Sequence, residues 1–220
     1  VINSPANPTG NVIRQKTLEE LADLAVEHDL YIFSDEAYEK IIYDSRHVSI
    51  GGLNGMDKYV VSFFTFSKSH AMCGYRLGYC VAPEKVAEAI TKIHVYTSIS
   101  APTISQLLGV KALAIGNKYT DYMVKEYRTR RNYIVKRLNE IGLPTAMPQG
   151  AFYAFSNIQD FSKDSRKFAA QLLSKAHVAV VPGIEFGRYG EGYIRCSYAT
   201  KLPLIEKALD RMEKFLKRYA

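Results

Sequence analysis

The chain has 220 residues, 47% hydrophobic and 23% charged, which is the balance of a globular protein able to bury a core as one large domain or as a domain with part of another. Its net charge of +7 is local: residues 118–137 hold seven basic and two acidic side chains and residues 201–220 hold six and three. Both stretches have helical periodicity, so the charges read as solvated faces of amphipathic helices, and no nucleic-acid partner is expected. Cys73, Cys80 and Cys196 are scattered and odd in number, and His28, His47, His70, His94 and His177 show no ligand spacing, so neither a disulfide framework nor a metal site is expected. No run reaches the apolar length of a membrane span and the opening residues carry no secretory pattern, so a cytoplasmic protein without a membrane partner is expected.

In chain order, Val1-Ile2-Asn3 reads as the end of a strand whose beginning is absent, and the chain is expected to be the C-terminal portion of a longer protein. Thr17-Leu18-Glu19-Glu20 is a capping box that opens a helix through about residue 28. Apolar and β-branched runs at 31–34, 59–66 and 77–82 predict strands, and Pro83 starts a helix to about residue 95. Strands alternating with helices predict a mostly parallel sheet covered on both faces, with ligand-binding groups at the carboxyl ends of its strands. Helices follow at 103–115 and 118–141, broken by Gly116-Asn117. Beyond Gly142-Leu143-Pro144, strands at 151–155, 178–181 and 193–197 and helices at 166–176 and 203–219 make a smaller α/β unit.

The chemistry gathers around Lys68, in TFSKSHAMCGYRLGY. Thr65 and Ser67 put hydroxyls beside it and Arg76 follows eight positions later. An arginine fork and hydroxyls suit a phosphate, while a lysine shielded from water can lose its proton and attack a carbonyl. That combination fits a lysine joined to pyridoxal phosphate. Asp35 and Lys68 both fall just past the ends of predicted strands, where such groups collect.

Asn7-Pro8-Thr9-Gly10, Asp35-Glu36-Ala37-Tyr38, the segment from Lys68 to Gly78 and Arg195-Cys196-Ser197 stand in an order and spacing that resembles the class I and II aminotransferases, the aspartate and aromatic branch in particular. Gly150-Ala151-Phe152-Tyr153, Val181-Pro182-Gly183 and Phe186-Gly187 support the resemblance, which runs over the whole chain. It implies fold type I of the pyridoxal-phosphate enzymes. Residues 1–115 would form the C-terminal part of the large mixed or parallel-sheet domain, 116–142 a connecting helix and 143–220 the small α/β domain. Lys68 matches the lysine that carries the cofactor as a Schiff base and shuttles a proton. Asp35 matches the carboxylate that pairs with the pyridine nitrogen, and Tyr38 and Asn7 match the groups that hydrogen-bond the ring oxygen.

Arg76, with Thr65 and Ser67, matches the phosphate site, though the family usually has Ser or Gly where Thr65 stands. Arg195 matches the fork onto the substrate α-carboxylate, with Asn7 beside the substrate. Phe152 and Tyr153 fit either the pocket wall or the core of a strand. The resemblance further implies a homodimer and a reaction moving an amino group from an L-amino acid to a 2-oxo acid. The same residues would serve a lyase, a decarboxylase or a cyclopropane-forming synthase on this fold, or a ligand-sensing domain fused to a DNA-binding module. The motif set fits transamination best.

Overall fold

The computed structural model describes residues 1–219. It divides into two compact units, Val1–Ala6 with Asn11–Met123 and Asn7–Gly10 with Val124–Ala220, and the division falls inside one long helix.

The first unit is built on a four-stranded sheet, β1 (Ile2–Asn3), β2 (Ile32–Asp35), β3 (Val60–Thr65) and β4 (Gly78–Val81), in that spatial order. The first three strands run parallel, with Ile2 opposite Ser34 and Ser34 opposite Ser62, and β4 is antiparallel to β3. Helix α1 (Gln15–Glu27) places Leu18, Ala22 and Ala25 on Ile32, Ile50, Met56 and Val60, covering one face. The helix begins two residues before the expected capping box. Leu18 N–H already bonds the Arg14 carbonyl, Gln15 Nε2 reaches Glu19, and Arg14 caps the helix without a side-chain bond, so Thr17 lies inside the first turn. The opposite face of the sheet departs from the expected full cover. Val61 is buried there, but Phe33 and Phe63, stacked 6.0 Å apart, remain 42% and 37% exposed.

A one-turn helix α2 (Phe66–Ser69) follows β3 directly. Helices α3 (Glu84–Ser98) and α4 (Thr103–Ile115) come next, α4 ending on Gly116 at φ +71°. Gly109 lies where a Cβ would meet Leu77 and Phe66, so its lack of a side chain lets α4 approach the end of β3. Helix α5 (Lys118–Glu140) starts in this unit, where Thr120 Oγ1 donates to the Ser69 carbonyl at 2.8 Å.

In the second unit β5 (Tyr153–Asn157), β7 (Tyr193–Ser197) and β6 (Val181–Pro182) form an antiparallel sheet in the order β5-β7-β6. The third strand is shorter than the run at 178–181 suggests, because only Val181 and Pro182 find ladder partners, opposite Arg195 and Ile194. Helix α6 (Ser165–Ala176), capped by Asp164 accepting from Lys167 N–H at 2.9 Å, packs on α7 (Leu202–Tyr219) with Phe168 edge-on to Phe215. Gly183 and Gly190 cross so closely that a Cβ on either would fall on the other's backbone carbonyl.

Candidate active site

The first unit carries six of the expected site residues. Asp35 ends β2 with its side chain exposed, and its Oδ1 accepts from Ala37 N–H at 3.2 Å in an Asx-type turn. Ser4 N–H and Asn3 Nδ2 both donate to the Asp35 carbonyl, which fixes this strand end to β1. Tyr38 is buried three residues later, its carbonyl accepting from Ile41 N–H at 2.8 Å.

Lys68 sits half-buried in α2, a turn too short to reveal itself by periodicity. Thr65 is the cap of that turn: its Oγ1 accepts from Ser67 N–H at 3.1 Å and donates to the Leu77 carbonyl at 3.4 Å. A hydroxyl at this position thus has a local occupation whatever it binds. Ser67 is half-buried, and its own hydroxyl has no hydrogen bond among the described residues.

The segment folds back on itself, with Phe66 N–H bonded to the Leu77 carbonyl and Phe66 carbonyl accepting from Met72 N–H. That closure returns Arg76 to the neighbourhood of the cap. Arg76 takes the left-handed conformation, φ 52° and ψ 49°, uncommon for a residue with a side chain. Its Nη1 donates to the Cys73 carbonyl at 2.8 Å, and no carboxylate pairs with it among the described residues.

Asn7 and Arg195 belong to the second unit. Arg195 lies mid-strand in β7, opposite Phe155 and Val181. Its guanidinium stands 4.2 Å from the Tyr153 ring centroid and 4.9 Å from that of Phe186, and its Nη1 donates to Asn7 Oδ1 at 2.7 Å. Two aromatic faces orient the fork and shield it from water. The Nε is buried without a partner, and among the described residues no carboxylate lies within ion-pair reach. Such a donor, oriented and unsatisfied, is suited to a ligand carboxylate. Tyr153 is both buried in its strand and stacked on Arg195. In the same unit, Gln149 and Gly150 N–H both donate to the Gly10 carbonyl, tying the Asn7–Gly10 turn to the segment ahead of β5.

One group of residues escaped the motif reading. Glu36, only 1% exposed, accepts from His47 Nε2 at 2.8 Å and from Ser49 Oγ at 2.7 Å. The sequence shows an acid next to Asp35, but its partners lie 11 and 13 positions away and no spacing rule links them. Among the described residues no group of His, Cys, Asp and Glu is placed to hold a metal ion, and no helix is long and apolar enough to cross a membrane.

With this geometry in view, residues 1–212 match the family model described as aminotransferase class I and II. The chain is 49% identical to an aspartate aminotransferase of Pyrococcus abyssi, over 99% of this chain and 57% of that one. It is 47% identical to aromatic-amino-acid aminotransferase 2 of Thermococcus litoralis, with the same coverage. A crystal structure of an aromatic aminotransferase from Pyrococcus horikoshii superposes with a TM-score of 0.92 at 47% identity, over 98% of this chain and 59% of that one. The chain belongs to the class I and II aminotransferases, a family dependent on pyridoxal phosphate. It spans a little over half the length of these relatives. Within the first unit the residues are of a kind that fits the cofactor: an exposed carboxylate at a strand end, and a lysine in a turn closed by Phe66 N–H on the Leu77 carbonyl, one residue past Arg76.

Proposed function

We propose that this chain works within an aminotransferase that moves an amino group from an L-amino acid to a 2-oxo acid. The observation that carries the reading is Arg195, stacked on Tyr153 and Phe186 with its Nε unpartnered and, among the described residues, no acid beside it. An arginine used only for structure would be expected to find a carboxylate or a carbonyl for that nitrogen. In this reading Arg195 forks onto the α-carboxylate, and Asn7, bonded to it, orients both the arginine and the ligands.

When bound, the cofactor supplies a sink for the negative charge that develops at the substrate α-carbon. Lys68 is the nucleophilic amine that holds it and moves a proton at its Nζ. Asp35 pairs with the ring nitrogen, Tyr38 and Asn7 serve the ring oxygen, and Arg76 with Thr65 and Ser67 serves the phosphate. The first unit would belong to a large cofactor-binding domain through residue 115, with 116–142 as connector and 143–220 as the small domain. A cytoplasmic homodimer completes the reading.

Replacing Arg195 with Leu in the full-length enzyme removes a charge-assisted fork from a partly shielded site. The expected loss is about 2–5 kcal/mol in kcat/KM, similar for aspartate and for aromatic substrates, since all share the α-carboxylate. Cofactor absorbance should persist in the resting variant. Loss confined to acidic substrates would mean that Arg195 reads the side chain instead.

A further inference from the structure

The buried cluster around Glu36 has no part in the roles assigned above, although it adjoins two of them. Strand alternation turns Glu36 inward where Asp35 turns outward, so consecutive residues put one carboxylate in the interior and the other in solvent. Among the described residues Asp35 is held on its side chain only by Ala37 N–H, so its orientation is inherited from the backbone. That backbone is anchored through Glu36. The Glu36 N–H donates to the Phe63 carbonyl at 3.0 Å, its carbonyl accepts from Glu39 N–H at 3.0 Å, and its carboxylate takes His47 and Ser49. Both side-chain donors come from the loop ahead of the turn at Ile50–Gly52, and the β3 carbonyl of Phe63 holds the backbone. Gly51 lets that loop lie close to β3, since a Cβ there would stand 3.0 Å from Ser62 Oγ.

A buried carboxylate is a weak choice for stability, because an apolar side chain of similar volume avoids the desolvation penalty. It is a strong choice for orientation, since several directional bonds converge on one planar group. Tyr38, two residues beyond Glu36 and buried, is carried by the same turn. We propose that Glu36, clamped by His47 and Ser49, is a positioning residue that sets Asp35 and Tyr38 toward the cofactor. The proposal rests on the assignment of those two residues to the cofactor in the proposed function.

The test uses the full-length protein, stripped of cofactor and titrated with pyridoxal phosphate. His47→Ala should weaken cofactor binding roughly tenfold and displace the midpoint of the cofactor's absorbance change with pH, by analogy with other residues that orient a binding group. His47→Gln, whose amide nitrogen replaces Nε2 as donor, should bring both readouts back toward wild type. Ser49→Ala removes one hydroxyl, should show a smaller loss in the same direction, and decides the matter if His47→Ala fails to fold. Lowered thermal stability in His47→Ala and Ser49→Ala with wild-type cofactor affinity and an unmoved absorbance midpoint would overturn the proposal and leave the cluster a matter of folding only. Asp35→Ala and Tyr38→Phe run alongside. If these also leave affinity and spectrum unchanged, the cofactor assignment fails and takes the positioning role with it; if they abolish the signals while the His47 and Ser49 variants do not, only the positioning role fails.

Discussion

In the second unit α7 sinks Ile205, Leu209, Met212, Phe215 and Leu216 into a core shared with α6, whereas in the first unit α4 leaves Ile104, Leu107, Val110 and Leu113 more than half exposed. The contrast is written in the pattern of the two helices. The apolar residues of α7 form one stripe, so a single packed face satisfies them. Those of α4 surround the helix, and the face it buries in the described structure is the small-residue one, Ser105 and Gly109. Helix α3 buries no residue fully, and Val86, Ala87 and Ile90 reach only half-burial. Apolar content therefore measures the stability a helix could gain, and only its packed face measures what it does gain.

The sharpest way to break this comparison is to truncate one residue of each kind in the 220-residue chain. Phe168 is fully buried against Phe215, and Phe168→Ala should destabilise the chain by about 3–5 kcal/mol through lost burial and a residual cavity. Leu107→Ala, on the exposed face of α4, should fall within about 0.5 kcal/mol of wild type. Urea unfolding followed by far-ultraviolet circular dichroism measures both. A loss at Leu107 approaching that at Phe168 would show that the α4 face is covered in solution.

What could be read in advance follows the range of the interaction that fixes it. The strands ending at Asp35 and Thr65 were legible because alternation and turn residues are local, and the aminotransferase resemblance rests on short motifs that carry Lys68, Asp35, Tyr38 and Arg195 intact. Thr17 misled because a capping box matches any helix start within a turn, while the real start is set by the Arg14 carbonyl and needs no side chain. The fold-back that returns Arg76 to Thr65 depends on Phe66 bonding Leu77, and the left-handed conformation of Arg76 has no residue signature, since glycine would be the expected choice. The Glu36 cluster and the stack of Tyr153, Arg195 and Phe186 join strand residues to loop and turn residues that only the tertiary fold brings together.

Glu36 and Glu39 offer a second, smaller test, placed in the polar part of the first unit rather than on its apolar helices. Burial works to raise the Glu36 carboxyl, but the hydrogen bonds from His47 and Ser49 outweigh it and hold the group below its ordinary 4.5. A carboxyl lowered in the folded state adds stability above its unfolded value and loses it as pH falls through the folded one. Glu36→Gln should therefore destabilise the chain at pH 7 by about 1.5–3 kcal/mol, the scale of hydrogen bonds to a charged group, with the gap closing as the pH falls below the ordinary carboxyl value. Burial raises the neighbouring Glu39, so its charge opposes folding at neutral pH and Glu39→Gln should shift the curve the opposite way. Urea midpoints between pH 3.5 and 7 separate the two, and parallel curves for both variants would remove the electrostatic account of the cluster.

The smallest effect sits at the surface, where charge rather than burial joins two helices of the second unit. Arg137 on α5 donates from Nη1 to Glu140 at 2.9 Å and from Nη2 to Glu213 of α7 at 3.0 Å, with Asp210 of α7 3.6 Å away. Networks of this kind in partial exposure are worth about 0.5–1 kcal/mol, and at 1 M salt a screening length of about 3 Å removes most of it. Arg137→Ala should lose that amount at low ionic strength and converge on wild type at 1 M NaCl. In the first unit, Lys16 and Glu20 meet at 4.0 Å with both side chains largely exposed, and Lys16→Ala should change nothing measurable at either salt. A loss at Arg137 that persists undiminished in high salt would assign its contribution to the aliphatic stem packed along α7, making even this surface contact a matter of burial.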